Sequence, residues 1–244
     1  HAGNLIELIR RNNFIVHELT APDSQESKLV PCADTEIEHT RWLGTSQGQD
    51  AIETIKTFQE KRHDWLIVDH YSLGQIWETK LRPHVRKIMV IDDLSDRLHD
   101  CDLLLDQNFY LNAATRYEGL VPPSCTKLLG PEYVMLRPEF LEVNKGLKPR
   151  TGAVRRIFIY FGGADLENMT GRAIEALSVP ELQYLEADVV IGDTNPNRSC
   201  IKKLVAKRKN TYLHIQIENI ADIMATADLA LGSGGSNTWE RIFL

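Results

Sequence analysis

The 244-residue sequence predicts an α/β protein in which two domains of parallel sheet face each other across a cleft. Short apolar runs, each ending in polar residues or glycine, alternate with longer amphipathic segments. This alternation is typical of strand–helix–strand units with helices on both faces of a parallel sheet. It lapses once, in the polar stretch at 141–152, and then restarts. We therefore predict Rossmann-like domains at 1–140 and 153–244, joined by a linker at 141–152.

Apolar runs supply the predicted strands of the first domain, which are residues 65–69, 87–92, 101–106 and, at an edge, 127–130. Amphipathic segments predict helices at residues 4–10, 47–62 and 73–85. A doubly wound domain normally begins with a strand, so we expect the first strand and its loop to be missing from this domain.

The alternation is clearer in the second domain. Its predicted strands are residues 156–161, 185–191, 212–216 and 228–232, and its predicted helices are residues 168–177, 199–208, 220–227 and a last one beginning near Asn237. The sequence stops inside that last helix, so we expect the second domain to be truncated.

Composition and charge argue against several functional classes. A formal net charge of −6 disfavours a nucleic-acid-binding surface, which needs clustered Lys and Arg. The cysteines Cys32, Cys101, Cys125 and Cys200 form no C-x-x-C pair, which is typical of reduced thiols in a cytoplasmic protein. No apolar run approaches the ~20 residues of a membrane span. We expect a cytoplasmic protein that binds neither nucleic acid nor membrane.

The strongest candidate site is the glycine-rich segment Gly232-Ser-Gly-Gly-Ser-Asn-Thr-Trp-Glu240, which follows a predicted strand. Glycines let the backbone approach a bulky anion, and N–H groups at a helix start can point at that anion. Ser233 and Ser236 add hydroxyl donors, and Glu240 could accept hydrogen bonds from a ribose diol. The alternative is a tight strand-to-helix turn that merely needs glycine.

Gly162 and Gly163 form a second glycine turn between a strand and a helix. They lack the G-x-G-x-x-G pattern, so no dinucleotide site is predicted. A plain turn explains them equally well. Two glycine turns at the carboxyl ends of strands would nevertheless converge on the crevice where such folds bind ligands.

Polar residues also follow the first-domain strands. At Asp69-His-Tyr71, His70 could act as a general base and Tyr71 as a hydrogen-bond donor to a phosphate or sugar. The alternative has Asp69 capping the next helix, with His70 and Tyr71 packing at the rim. The acidic residues that follow, Asp92, Asp93, Asp96, Asp100, Asp102 and Asp106, could hold Mg²⁺, but Asp is also common in turns and helix caps.

No metal and no cofactor is therefore predicted. Arg137 lies just before the predicted linker, and its guanidinium suits a phosphate or a carboxylate. A surface salt bridge is the alternative for Arg137.

Several motifs together resemble one known family. In chain order they are Val68-Asp-His-Tyr71, Ile91-Asp-Asp-Leu94 with Cys101-Asp-Leu-Leu-Leu-Asp-Gln107, Leu129-Gly-Pro-Glu-Tyr133, Leu136-Arg-Pro-Glu-Phe140, Phe161-Gly-Gly-Ala-Asp165 and Gly235-Ser-Asn-Thr-Trp-Glu240. This set resembles the UDP-sugar hydrolases of pseudaminic acid biosynthesis, which remove UDP from UDP-2,4-diacetamido-2,4,6-trideoxy-β-L-altropyranose, and their spore-coat polysaccharide relatives.

The resemblance implies a glycosyltransferase-B-like fold, a UDP-sugar substrate and hydrolysis at the anomeric carbon. It places Tyr71 on the catalytic side, in the first domain, and Arg137 near the substrate. It implies that UDP is bound by the second domain, through Gly162, Gly163, Ser233, Gly234, Gly235, Ser236, Asn237 and Glu240.

The catalytic histidine of the family lies in a loop of the form Gly-x-Gly-His-x-x-Arg, which does not occur in this sequence. The late asparagine–glutamine loop of the family is missing as well. We therefore expect little hydrolysis from these residues alone. Two alternatives stay open, a glycosyltransferase of the same fold and a catalytically silent module that binds UDP-sugars.

Overall fold

The computed structural model describes residues 5–19 and 42–244. It divides into two compact units, of which the first ends at Val134 and the second is Met135–Leu244. Each unit contains a four-stranded sheet whose neighbouring strands are all parallel. The α/β class with two parallel sheets is thereby confirmed. The glycosyltransferase-B-like arrangement and the predicted domain limits stay predictions.

The first unit has its strands in the order β1-β2-β3-β4. Its described elements are α1 (Ile6–Arg11), α2 (Gln47–Thr57), β1 (His63–Val68), α3 (Gln75–Leu81), β2 (Val85–Ile91), β3 (Leu103–Asp106) and β4 (Thr126–Leu129). Residue 4, where the first helix was predicted to begin, lies outside the described residues.

Two helices of the first unit end earlier than predicted. The helix predicted at 47–62 ends at Thr57, because Gln59 and Glu60 adopt positive φ angles of 49° and 60°. The helix predicted at 73–85 ends at Leu81 and gives way to a 3₁₀ turn around Pro83, which cannot continue an α-helix.

Helices α2 and α3 pack against the first sheet and fix the loop after β1. Ala51 and Trp77 belong to the same buried cluster as Val68 of β1. The buried Gln47 accepts a hydrogen bond from the backbone N–H of Gly74 at 3.0 Å. The polar residues at the carboxyl end of β1 are thus held at a defined place.

The second unit has its strands in the order β7-β6-β5-β8. Its elements are α4 (Pro138–Asn144), β5 (Arg156–Tyr160), α5 (Met169–Ala176), β6 (Glu186–Ile191), α6 (Arg198–Lys207), β7 (Thr211–Ile215), α7 (Ile220–Ala225), β8 (Leu229–Gly232) and α8 (Ser236–Phe243). Side chains of α5 and α6 are buried on one face of this sheet, and those of α4 and α7 on the other. Strand β5 is therefore apolar on both sides, as expected of a central parallel strand.

Helix α4 corrects the predicted linker, since 141–144 belong to a helix. Pro138 occupies its first turn, where a missing N–H costs nothing, and Phe140 is fully buried against Phe158 and Ile220. Only three of the seven residues of α4, Glu139, Glu142 and Asn144, are polar, and the helix spans only two turns, too short to show a helical periodicity in the sequence.

Within residues 5–19 and 42–244, no helix combines the length and the apolar character needed to cross a membrane. Cys101 and Cys125 are free thiols buried side by side, with their Sγ atoms 3.5 Å apart, while the free Cys200 is exposed. Cys32 lies outside the described residues.

Candidate functional site

The two glycine turns of the second unit lie next to each other at the carboxyl edge of its sheet. Strands β5 and β8 are paired, with Tyr160 opposite Gly232. The turn after β5 contains Gly162 with a φ of 89°, and the turn after β8 contains Gly235 with a φ of 103°. The predicted convergence of the two turns is therefore present within this unit.

A third glycine that the sequence analysis did not single out, Gly192, lies against Gly163. A Cβ atom on Gly192 would be 2.7 Å from the carbonyl oxygen of Gly163, which only glycine tolerates. Its backbone N–H donates to the same oxygen at 3.1 Å. The available signal was its position directly after the apolar run of β6, which matches that of the other two turns.

The start of helix α5 is already occupied by side chains. The Asp165 carboxylate accepts hydrogen bonds from the N–H groups of Met169 and Thr170, both at 2.8 Å. Asn168 accepts another from Gly171 at 3.3 Å. Because a carboxylate binds the first turn, this helix start does not suit a further anion.

The start of helix α8 differs, because its N-cap residue is Gly235, which carries no side chain. Ser233 and Gly234 are exposed in the turn before it, and Asn237 lies in the first helical turn. The side chain of Ser236 lies outside what the structure describes. Arg241, a further residue missed in the sequence, donates from Nη2 to the carbonyl oxygen of Ser233 at 2.7 Å and brings a positive charge to this turn.

Arg137 and Glu240, predicted separately as site residues, meet each other. Arg137 Nε donates to Glu240 Oε1 at 2.8 Å and Nη2 to Oε2 at 3.3 Å, a two-point contact. The Glu240 side chain is only 7% exposed, whereas that of Arg137 is 47% exposed and also contacts Glu139 at 3.1 Å. Arg137 therefore fixes Glu240 while about half of its own side chain stays exposed.

The carboxyl edge of the first sheet carries a second cluster, formed by residues that follow three neighbouring strands. The Tyr71 hydroxyl donates to Asp93 Oδ1 at 2.8 Å, and the Asn108 amide donates to Asp93 Oδ2 at 2.8 Å. Burial, then the hydrogen bond and the charge of Asp93, raise the pKa of Tyr71 to about 12. Asn108 was missed as a site residue, and Asp93 was considered only as a possible Mg²⁺ ligand, although each lies within two residues of a strand end.

His70, next to Tyr71, is turned toward its own loop. Its Nδ1 accepts a hydrogen bond from the backbone N–H of Ser72 at 3.1 Å, and burial lowers its pKa. Asp69 is exposed and does not cap α3, whose N-cap residue is Gly74. The alternative in which Asp69 caps this helix is therefore wrong.

Most carboxylates of the acidic run are paired with arginine. Asp92 contacts Arg97, Asp100 and Asp102 contact Arg82, and Asp106 contacts Arg116. In the part of the chain that the structure describes, no group of three or more His, Cys, Asp or Glu side chains is arranged to hold a metal ion. These pairs explain why acidic residues cluster at this position in the sequence.

No protein-family model matches the chain. Among solved structures, it has a TM-score of 0.43 and 14% identity to one titled OtsA apo structure, covering 79% of this chain and 55% of that one. This similarity is too weak to describe how the two units are arranged.

Three curated proteins are similar in sequence. The chain is 25% identical over 114 residues to the spore coat polysaccharide biosynthesis protein SpsG of Bacillus subtilis, covering 46% of this chain and 33% of that protein. It is 23% identical over 205 residues to an uncharacterized protein of Methanocaldococcus jannaschii, covering 82% and 42%.

The third similar protein is covered over more of its own length than the other two. Over 198 residues, the chain is 31% identical to the UDP-2,4-diacetamido-2,4,6-trideoxy-β-L-altropyranose hydrolase of Campylobacter jejuni, covering 80% of this chain and 69% of that enzyme. By this identity and coverage, the chain belongs to the UDP-2,4-diacetamido-2,4,6-trideoxy-β-L-altropyranose hydrolase family.

Proposed function

We propose that the protein is a UDP-sugar hydrolase that releases UDP from UDP-2,4-diacetamido-2,4,6-trideoxy-β-L-altropyranose in pseudaminic acid biosynthesis. The observation that carries the proposal is the contrast between two helix starts on the second sheet. Asp165 caps α5 and would repel a diphosphate, whereas α8 starts at a glycine beside the positive charge of Arg241. The N–H groups and the dipole of α8 favour an anion. We assign the diphosphate to 233–237, with Gly162 and Gly163 next to it.

The ribose is assigned to Glu240. Arg137 engages both carboxylate oxygens, and each oxygen retains a lone pair that can accept a hydrogen bond from a ribose hydroxyl. Because Glu240 is buried and held at two points, its orientation is fixed before the ligand binds. Arg137 Nη1 contacts Glu139, whose side chain is 39% exposed, and we assign this end of the guanidinium to the diphosphate.

The reaction is an inverting displacement in which water attacks the anomeric carbon and UDP leaves with the electrons of the C–O bond. Negative charge develops on the phosphate oxygen that leaves. The N–H groups at the start of α8 and the Arg137 guanidinium would stabilise that charge in the transition state. Tyr71 is assigned to the side of the sugar, where hydrolysis takes place.

The direct test is UDP release in water by the full-length gene product, without any acceptor. We expect turnover of the altropyranose nucleotide, and Tyr71→Phe should lower kcat/KM about tenfold to a hundredfold if the hydroxyl contacts the sugar. Tyr212→Phe, an exposed tyrosine of the second unit, is the matched control. UDP release that requires an added acceptor would instead indicate a transferase. Tight UDP binding by calorimetry without any release would indicate a silent binding module.

The ribose assignment has its own test. Glu240→Gln should weaken UDP binding about tenfold, because a hydrogen bond to a charged acceptor is lost. The same substitution should leave the affinity for 2′,3′-dideoxyUDP unchanged, since that ligand has no ribose hydroxyls. Glu139→Gln is the control, because Glu139 contacts the same guanidinium at 3.1 Å without being assigned to the ligand. An equal loss for both ligands would mean that Glu240 acts only through Arg137.

A further inference from the structure

Asp93 is the centre of a hydrogen-bonded cluster that the proposed function does not use. Its two carboxylate oxygens accept from Tyr71 and Asn108, each at 2.8 Å. Its backbone carbonyl oxygen accepts from the Tyr110 hydroxyl at 3.1 Å and also from Arg116. Residues after β1 and β3 thus hold both carboxylate oxygens, and Tyr110 and Arg116 hold the backbone of the same residue, so the orientation of the carboxylate is fixed.

This arrangement decides what the Tyr71 hydroxyl can offer to a ligand. A phenol carries one proton, and this one is donated to Asp93. Toward any other group, the hydroxyl can then act only as an acceptor. Burial, the hydrogen bond to Asp93 and the negative charges of Asp93, Asp69 and Asp92 raise the pKa of Tyr71 further above neutral, so the hydroxyl is present as the donor. The nearby Arg97 is paired with Asp92.

We propose that Asp93 is a positioning residue that makes Tyr71 a hydrogen-bond acceptor for an O–H or N–H group of the sugar. The inference rests on the proposed function, which places Tyr71 beside the sugar, and it reverses the expectation that Tyr71 donates to a phosphate or a sugar. The charge at this edge agrees with it, because Asp69 and Asp93 would repel a diphosphate but tolerate the donor groups of a sugar, whereas the charge of Asp92 is balanced by Arg97.

Asp93→Asn separates a positioning role from a packing role. It keeps the shape of the side chain but replaces one acceptor oxygen with an NH₂ group that donates. The Asn108 amide needs an acceptor, so the new carboxamide oxygen should turn to Asn108 and its NH₂ group to Tyr71. Tyr71 would then point its own proton at the sugar. We expect kcat/KM to fall about tenfold to a hundredfold, with KM raised. A fall in kcat alone would mean that the donor is the attacking water and would overturn the assignment to the sugar.

The double variant Asp93→Asn/Asn108→Asp exchanges the carboxylate and the amide while keeping the net charge. The carboxamide N–H can then donate to the new carboxylate, and its oxygen can again accept from Tyr71. Recovery of kcat/KM to within about threefold of wild type is expected. If the single variant retains wild-type kcat/KM while Tyr71→Phe loses it, Asp93 does not position Tyr71.

A second readout needs no activity. With 3-fluorotyrosine incorporated, the ¹⁹F resonance of position 71 is identified by its absence in Tyr71→Phe. It should titrate at clearly lower pH in Asp93→Asn than in wild type, and Asp96→Asn should not move it. An unchanged titration in Asp93→Asn would overturn the contact to Asp93. A wild-type enzyme without hydrolysis would overturn the proposed function and the assignment to the sugar, while the ¹⁹F titration would still decide whether Asp93 holds the Tyr71 proton.

Discussion

Gly235→Val is expected to lower the affinity for UDP about a hundredfold. Gly235 has a φ of 103° and a ψ of −168°, a conformation that is essentially restricted to glycine and that a β-branched residue cannot adopt. No atom lies within 4 Å of the position a Cβ would take, so the effect comes from the backbone and not from a clash. The N–H groups at the start of α8 would turn away from the diphosphate, which removes one or two charge-assisted hydrogen bonds. Titration calorimetry with UDP measures the change.

Gly152→Val is the matched control for this prediction. Gly152 has a φ of 105°, and a Cβ there would also have no atom within 4 Å, but it lies outside the assigned site. The two variants should lose similar stability, about 1–3 kcal/mol, because both glycines have nearly the same positive φ. Only Gly235→Val should lose UDP binding. If Gly235→Val binds UDP with wild-type affinity, the diphosphate does not bind at the start of α8.

The central strand β5 was predictable because burial on both faces leaves a continuous apolar run in the sequence, whereas the apolar run of β1 was found although Trp65 and Ile67 are exposed. Ile157, Phe158 and Ile159 of β5 are all buried, and the sequence shows them as one run. Helix α4 was not predictable in this way. It is only seven residues long, and only Phe140 and the partly buried Val143 pack against the core, so its contact with the sheet leaves no clear periodicity.

The sequence identified the glycine turns but not the difference between them. Both turns lie between a strand and a helix, and nothing in the motifs shows that Asp165 already caps the α5 start. Arg137 and Glu240 were each predicted to contact the ligand. Their contact with each other joins residues 103 positions apart, and a single sequence does not reveal such a pairing.

The acidic residues between 92 and 106 show most clearly that a single sequence does not reveal side-chain partners. Asp92 and Asp93 are adjacent at the end of β2, and their side chains go to different places. Asp92 is buried and accepts from the Tyr117 hydroxyl at 3.0 Å, while Asp93 accepts from Tyr71 and Asn108. Sequence alone assigned both to turns or metal ligands, because neither burial nor partner is visible in the residue type.

Asp92→Ala is expected to destabilise the first unit by about 3–5 kcal/mol, because the buried Arg97 loses its buried partner and keeps only the partly exposed Asp96. Asp92 Oδ1 lies 2.7 Å from Arg97 Nη1, and the two side chains are 0% and 4% exposed. Urea unfolding of the full chain, monitored by a spectroscopic probe in each unit, measures the loss in the free energy of unfolding.

Asp96→Ala is the control, because Asp96 contacts the same Arg97 Nη1 at 2.8 Å but its side chain is 35% exposed. Since water screens an exposed pair, this variant should cost less than about 1 kcal/mol. Equal losses of stability in the two variants would mean that Arg97 depends on both carboxylates alike. The burial of Asp92 would then not be the reason for its contribution. Asp93→Asn is expected to impair turnover, and Asp92→Ala is expected to impair folding. The two neighbouring carboxylates at the end of β2 would then have different roles, since Asp93 positions Tyr71 and Asp92 stabilises the first unit.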